Sequence, residues 1–169
     1  MKRNTMKRRF FGLALALLLT WGGVAAADSP AAESPALAKL QQMVENLGYS
    51  VTPSSDNQSF SIQWQAHYNY TLNFEVSKDS TLAYAYVKLG TLDEAHLAKL
   101  NYAGLLEASD TGDYYFSMEK RADGKSESLF ANTILPLSNL TPEQLRGLLQ
   151  AMANKLDGSA ALWDSSLWK

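Results

Sequence analysis

The sequence predicts an α+β fold: an antiparallel sheet of about five strands with three helices, in the order α-β-β-β-α-β-β-α. Three observations carry this. Leu129 to Trp163 reads as a buried strand, a tight connection and a strongly signalled amphipathic helix. Upstream, Phe60 to Val76 alternates apolar and polar residues with the period of two that describes strands with one face on a core. Turn residues at Ser77 to Ser80 and at Asp123-Gly124 separate the later strands.

The chain begins with an address label. Lys2, Arg3, Lys7, Arg8 and Arg9 precede a short apolar core from Phe10 to Leu19, and Ala25-Ala26-Ala27 offers an A-x-A-like cleavage site. A signal peptide over residues 1–27 is therefore expected, and with it a periplasmic or secreted location. Arg8-Arg9-Phe10-Phe11 has twin-arginine character while the Leu-rich core fits the general route, so the route stays open. The apolar run is too short for a membrane span. No cysteine is present, which excludes both a lipoprotein anchor and disulfides. Residues 28–34 form a small, polar, mobile stalk, residues 35–163 one domain, and residues 164–169 a tail.

Cleavage changes the charge. The chain has fifteen basic and seventeen acidic residues, and the leader holds five of the basic and none of the acidic ones, leaving a net of −7. An acidic domain with no basic stripe is a poor nucleic-acid binder, because such binding depends on Lys and Arg neutralising phosphates.

Each element has its own signal. Ser34 and Pro35 start the first helix as cap and N1 proline, Leu37, Leu40, Val44 and Leu47 make its apolar face, and Gly48 stops it. A turn through Pro53 to Asn57 follows. Phe60, Ile62 and Trp64 form one strand face and Tyr70, Leu72, Phe74 and Val76 the next, with a break near His67 to Asn69 or else one long bent strand. Thr81 to Leu89 is apolar on both faces, which implies a strand covered on both sides, either at the sheet centre or with its second face against another subunit. Thr91 and Glu94 spell a capping box for a second helix running through Leu97, Leu100 and Gly104 to Ala108. Asp113 to Lys120 and Ser126 to Leu135 form a hairpin that Pro136 ends. Thr141, Pro142 and Gln144 cap the last helix, Leu140 and Leu145 staple it, and Leu145, Leu148, Leu149, Met152 and Leu156 share one face. It stops at Gly158 or runs on through Leu162 and Trp163.

The element order, Leu105-Leu106 closing the second helix, the strand-to-Pro step from Ile134 to Leu137, and Trp163 near the last helix's end resemble the type III secretion chaperone-like fold, which also includes the YbjN-type regulators. The resemblance spans about Pro35 to Trp163. It implies small acidic homodimers that bind partner polypeptides through apolar patches on helix and sheet, without catalysis. The export signal departs from cytosolic secretion chaperones, so only a generic protein-binding role carries over, with a periplasmic protein as partner.

No catalytic, metal or nucleotide motif stands out. His67 and His96 lack metal-ligand spacing, and polar surface roles are the simpler reading. No G-x-S-x-G elbow exists. No cofactor is called for. Leu82, Tyr84 and Tyr86 on the doubly apolar strand, with Leu97 and Leu100 on the second helix, make a candidate self-association or partner surface. Trp64, Tyr68, Tyr70, Tyr115 and Trp168 make a candidate aromatic surface for a carbohydrate or peptidoglycan ligand, since flat rings give contact area at low entropy cost, although strands favour aromatics anyway. An unrecognised enzyme using His67 or His96 is the third reading.

Overall fold

The computed structural model describes residues 34–110, 112 and 114–168. The expected signal peptide and most of the expected stalk lie outside them. Among the described residues are six strands in one antiparallel sheet, ordered β1-β2-β3-β4-β6-β5, and five helices. The α+β class is as expected. The sheet has one strand more than the sequence predicts and the helical segments are divided differently. None of these helices is long and apolar enough to cross a membrane.

Helix α1 (Pro35–Asn46) starts where the sequence places it: the Ser34 hydroxyl accepts the Leu37 N–H at 3.1 Å. Gly48 at φ +94° takes the left-handed turn after it, and Tyr49 N–H returns to Val44 O. The extra strand, β1 (Val51–Pro53), falls partly where a turn is expected. Three residues ending in a proline carry little periodic signal, and proline suits an edge strand because it has no N–H for a further ladder. The turn itself sits later, closed by Ser54 N–H to Ser59 O.

Strands β2 (Ser59–Gln65) and β3 (Asn69–Val76) form a hairpin, so the break at His67 is real; Ala66 N–H donates to Tyr68 O across it. Strand β4 (Leu82–Asp93) runs four residues past the expected end. Its partner β6 (Ser126–Pro136) offers a ladder down to Ser126, and a bulge between Lys88 and Gly90 keeps the pairing going. Thr91 therefore stays in the sheet opposite Ser128 instead of capping a helix. Asp93 caps instead, accepting the His96 N–H at 2.9 Å. The single helix expected from Thr91 to Ala108 is two: α2 (Glu94–Leu97) and α3 (Tyr102–Ser109), the latter capped by Asn101, which accepts the Gly104 N–H at 2.9 Å. Strand β5 (Tyr115–Lys120) closes the sheet beside β6.

Helix α4 (Pro142–Gly158) carries the complete capping box: Gln144 N–H to the Thr141 hydroxyl at 3.2 Å and Thr141 N–H to Gln144 Oε1 at 3.0 Å. It stops at Gly158, and α5 (Ala160–Trp163) continues after a break at Ser159. The core is one layer between helices and sheet. Leu37, Leu40 and Val44 of α1 and Leu145, Leu149, Met152 and Leu156 of α4 are buried, as are the inward residues of β2, β3, β4 and β6. Phe60 and Phe74, opposite each other in β2 and β3, stack at 4.8 Å.

Candidate interaction surface

The helices cover one face of the sheet, and the other face divides into two halves of different chemistry. On β2 and β3 the outward positions are Ser61, Gln63, Gln65, Thr71, Asn73 and Glu75, and they satisfy one another: Gln63 Nε2 donates to the Thr71 hydroxyl at 3.0 Å. On β4, β6 and β5 the outward positions include large apolar residues beside Lys88, Asn132, Ser117 and Glu119. Tyr84 faces Ile134 directly across the β4–β6 ladder, and Asn132 stands between Tyr86 on one side and Tyr115 on the other. Tyr84, Ile134 and Tyr115 are exposed at 36%, 45% and 39%. Tyr86 packs edge-on against Phe130 at 6.1 Å and donates its hydroxyl to Glu75 Oε1 at 2.6 Å. Partial burial, then that carboxylate, push the Tyr86 hydroxyl well above the usual tyrosine range.

The doubly apolar character of β4 thus has a clear physical basis. Ala83, Ala85 and Val87 are buried under the helices, whereas Leu82, Tyr84 and Tyr86 point the other way, where no element of the described chain covers them. The strand lies at the centre of the sheet, between β3 and β6, and among the described residues nothing covers its second face. Large apolar residues grouped on an uncovered sheet face are the usual mark of a contact surface.

The other candidate residues scatter. Leu100 is only 6% exposed and belongs to the core, which removes it from the self-association set, and Leu97 is half-buried. The exposed apolar residues of this region are Tyr102 and Leu106, one turn apart on α3, at 51% and 73%. The sequence reading misses them because it runs one helix through the break; Asn101, a good N-cap just before them, is the signal that would have reset the phase.

The aromatic set splits as well. Trp64 and Tyr70 are core residues, a correction to the aromatic surface: with Tyr68 they form a cluster around Trp163, whose ring meets that of Tyr68 at 4.8 Å. Two carboxylates tie this cluster down. Asp157 accepts the Tyr70 hydroxyl at 2.8 Å and the His67 N–H at 3.0 Å, and Asp164 accepts the Tyr68 hydroxyl at 3.1 Å. Burial first, then the bond to Asp157, hold the Tyr70 hydroxyl far above the ordinary tyrosine range. Trp168 folds back on the last helix, donating from Nε1 to Ala161 O at 3.1 Å, with its ring 6.2 Å from that of His96.

The histidines do not converge. His96 Nδ1 sits 2.7 Å from Asp93 Oδ1 in an exposed pair, while His67 is exposed at the hairpin turn beside Tyr68. Among the described residues no group of three His, Cys, Asp or Glu is placed to hold a metal ion, and no buried side-chain polar atom lacks a partner. What the geometry offers is a group of exposed apolar side chains on one face of the sheet.

No family model matches the chain, and no curated protein does. Solved structures do. YbjN from E. coli superposes with a TM-score of 0.56 at 14% identity, over 74% of this chain and 91% of that one. The Yersinia pestis type III secretion chaperone SycH, solved with a stable fragment of YscM2, gives 0.46 at 12% identity, over 75% and 98%. The chain has the α+β fold of YbjN.

Proposed function

We propose that this chain is a non-catalytic protein-binding domain that acts after export to the periplasm or the medium, and that it pairs with a second copy through the outward face of β4, β6 and β5. The observation that carries the reading is the cluster of Tyr84, Ile134 and Tyr115, exposed on one sheet face around Asn132, with the edge-packed Tyr86 and Phe130 beside them. Burying such side chains returns about 1.5–3 kcal/mol each, and a self-complementary two-fold pairing uses the same patch twice. The basic leader followed by an apolar core supports export. The exposed pair Tyr102 and Leu106 on α3 is left for a further polypeptide partner.

The carbohydrate alternative keeps only Tyr68, Tyr115 and Trp168 of its five aromatics outside the core, one at the β2–β3 turn, one on β5 and one after the last helical turn. The proposal is tested by light scattering on the purified protein. A particle of twice the chain mass that falls to one chain in the double variant Tyr84→Lys, Ile134→Glu supports it. Affinity capture after mild cross-linking in a periplasmic extract tests the partner.

A further inference from the structure

On the helical side of the sheet a groove of 440 Å³ opens between α1, the turn joining β3 to β4, and the single 3-10 turn Leu137–Asn139 before α4. Its origin is legible in α1. Beside the buried stripe of Leu37, Leu40 and Val44 runs a second one, Ala36, Lys39 and Met43, at the same three- and four-residue steps, and this stripe lines the groove. The opposite wall is Leu137, Ser138 and Leu140, held in place by Leu137 N–H to Thr81 O at 2.9 Å. Leu140 also borders a second recess of 620 Å³ along α4, where Gly147 and Ala151 leave the helix surface bare. The two recesses meet at Leu140, and the second is bordered by Leu148 and by Pro136, which shares the outward side of β6 with Ile134.

Their chemistry is one-sided. Lys39 is the only ionisable residue lining either recess. Among the described residues the one ion pair is His96 with Asp93, so none of their carboxylates lies within salt-bridge distance of Lys39. The Ser80 and Ser138 hydroxyls, which line the same groove, donate to no group among the described residues. The nearest acid in sequence, Asp79, is outside the lining and accepts from Ser77 and Thr81 within its own turn. An uncommitted ammonium and two uncommitted hydroxyls at the mouth of an apolar recess, in an acidic chain, complement an anion with an apolar body.

We propose that the double recess binds an anionic amphiphile of the fatty-acid class, the alkyl chain lying past Leu140 toward Gly147 and the carboxylate meeting Lys39, Ser80 and Ser138. Nothing in this depends on the dimer face.

The test is isothermal titration calorimetry of the purified protein with decanoate and with decanol, the same chain without the charge. Decanoate is expected to bind saturably, and Lys39→Glu, at an exposed position, to weaken it about tenfold or more while leaving decanol unchanged, the weight of one lost charge-assisted contact. Gly147→Leu is the second variant. Gly147 lines the recess and a Cβ there meets nothing within 4 Å, so the added side chain has room to start into it and improves the helix, and it is expected to weaken both probes. Absence of saturable decanoate binding overturns the proposal. So does decanoate binding that Lys39→Glu does not change, and binding of both probes that Gly147→Leu leaves intact overturns the placement of the tail.

Discussion

Replacing Asp157 by alanine tests the reading that the carboxylates of the C-terminal helix clamp the β2–β3 hairpin. The substitution removes the acceptor of the Tyr70 hydroxyl and of the His67 N–H. Tyr70 is 4% exposed, so its hydroxyl is left without a partner, at a cost of about 1–3 kcal/mol. The His67 N–H is at an exposed turn and finds water, at little cost. Against this, Asp157 is in the last turn of α4, where a negative charge opposes the helix dipole, and its removal returns about 0.3–1 kcal/mol. The net expectation is a loss of about 1–2 kcal/mol. Tyr70→Phe removes the donor but leaves a half-exposed carboxylate that water can solvate, and costs about 1 kcal/mol. The double variant should lose less than the sum, by about 1 kcal/mol, because each single change already breaks the same bond. Urea unfolding followed by tryptophan fluorescence reads all three, since Trp64 and Trp163 flank the cluster. An Asp157→Ala variant as stable as the parent, or strict additivity in the cycle, refutes the clamp.

Three further outcomes follow from the same geometry. Gly104→Ala places a Cβ 2.7 Å from Asn101 Nδ2 and 2.8 Å from Leu162 Cδ2, so the ends of these two side chains must move; that cost and the better helix propensity nearly offset, and the urea midpoint should report a change of under about 1 kcal/mol. Thr141→Ala removes the hydroxyl that accepts the Gln144 N–H, leaving the Thr141 N–H its bond to Gln144 Oε1, and should cost about 1 kcal/mol in the same assay, with Thr141→Ser recovering most of it. Burial first, then the carboxylates of Asp157 for Tyr70 and Glu75 for Tyr86, raise the hydroxyl pKa of both, so the folded state keeps protons that the unfolded chain releases near pH 10; stability is full below that pH and falls as it rises further, and absorbance at 295 nm should show these tyrosines ionising only with unfolding.

What the sequence reveals about this fold follows from where its signals are local. The caps of α1 and α4 are each written in a few adjacent residues, Ser34-Pro35 and Thr141-Pro142 with Gln144, and both stand as read. The β2–β3 alternation is equally local. The misreadings come where a distant partner decides. Thr91-x-x-Glu94 is a good capping box in isolation, but β6 continues to Ser126 and holds Thr91 in the sheet through pairing some 37 residues away in sequence. That slip carries the helix phase past Asn101 and puts buried Leu100 on the candidate surface in place of Tyr102 and Leu106. Trp64 and Tyr70 fail as surface aromatics for a related reason. Period two says that they share a face but not which one, and the last helix, with Trp163 and Asp157, covers theirs. Strand β4 is the opposite case: apolarity on both faces is visible in the sequence, and the structure leaves one of those faces uncovered.

The most direct test of the proposed pairing is the solution mass of the purified protein beside that of the Tyr84→Lys, Ile134→Glu variant, by light scattering at matched concentration. The two new charges are opposite and stand directly across the β4–β6 ladder, so the single chain retains a cross-strand pair and its fold. The account predicts two chains per particle for the parent and one for the variant, with unchanged circular dichroism. A parent that is monomeric throughout the concentration range, or a variant that remains a dimer, contradicts it.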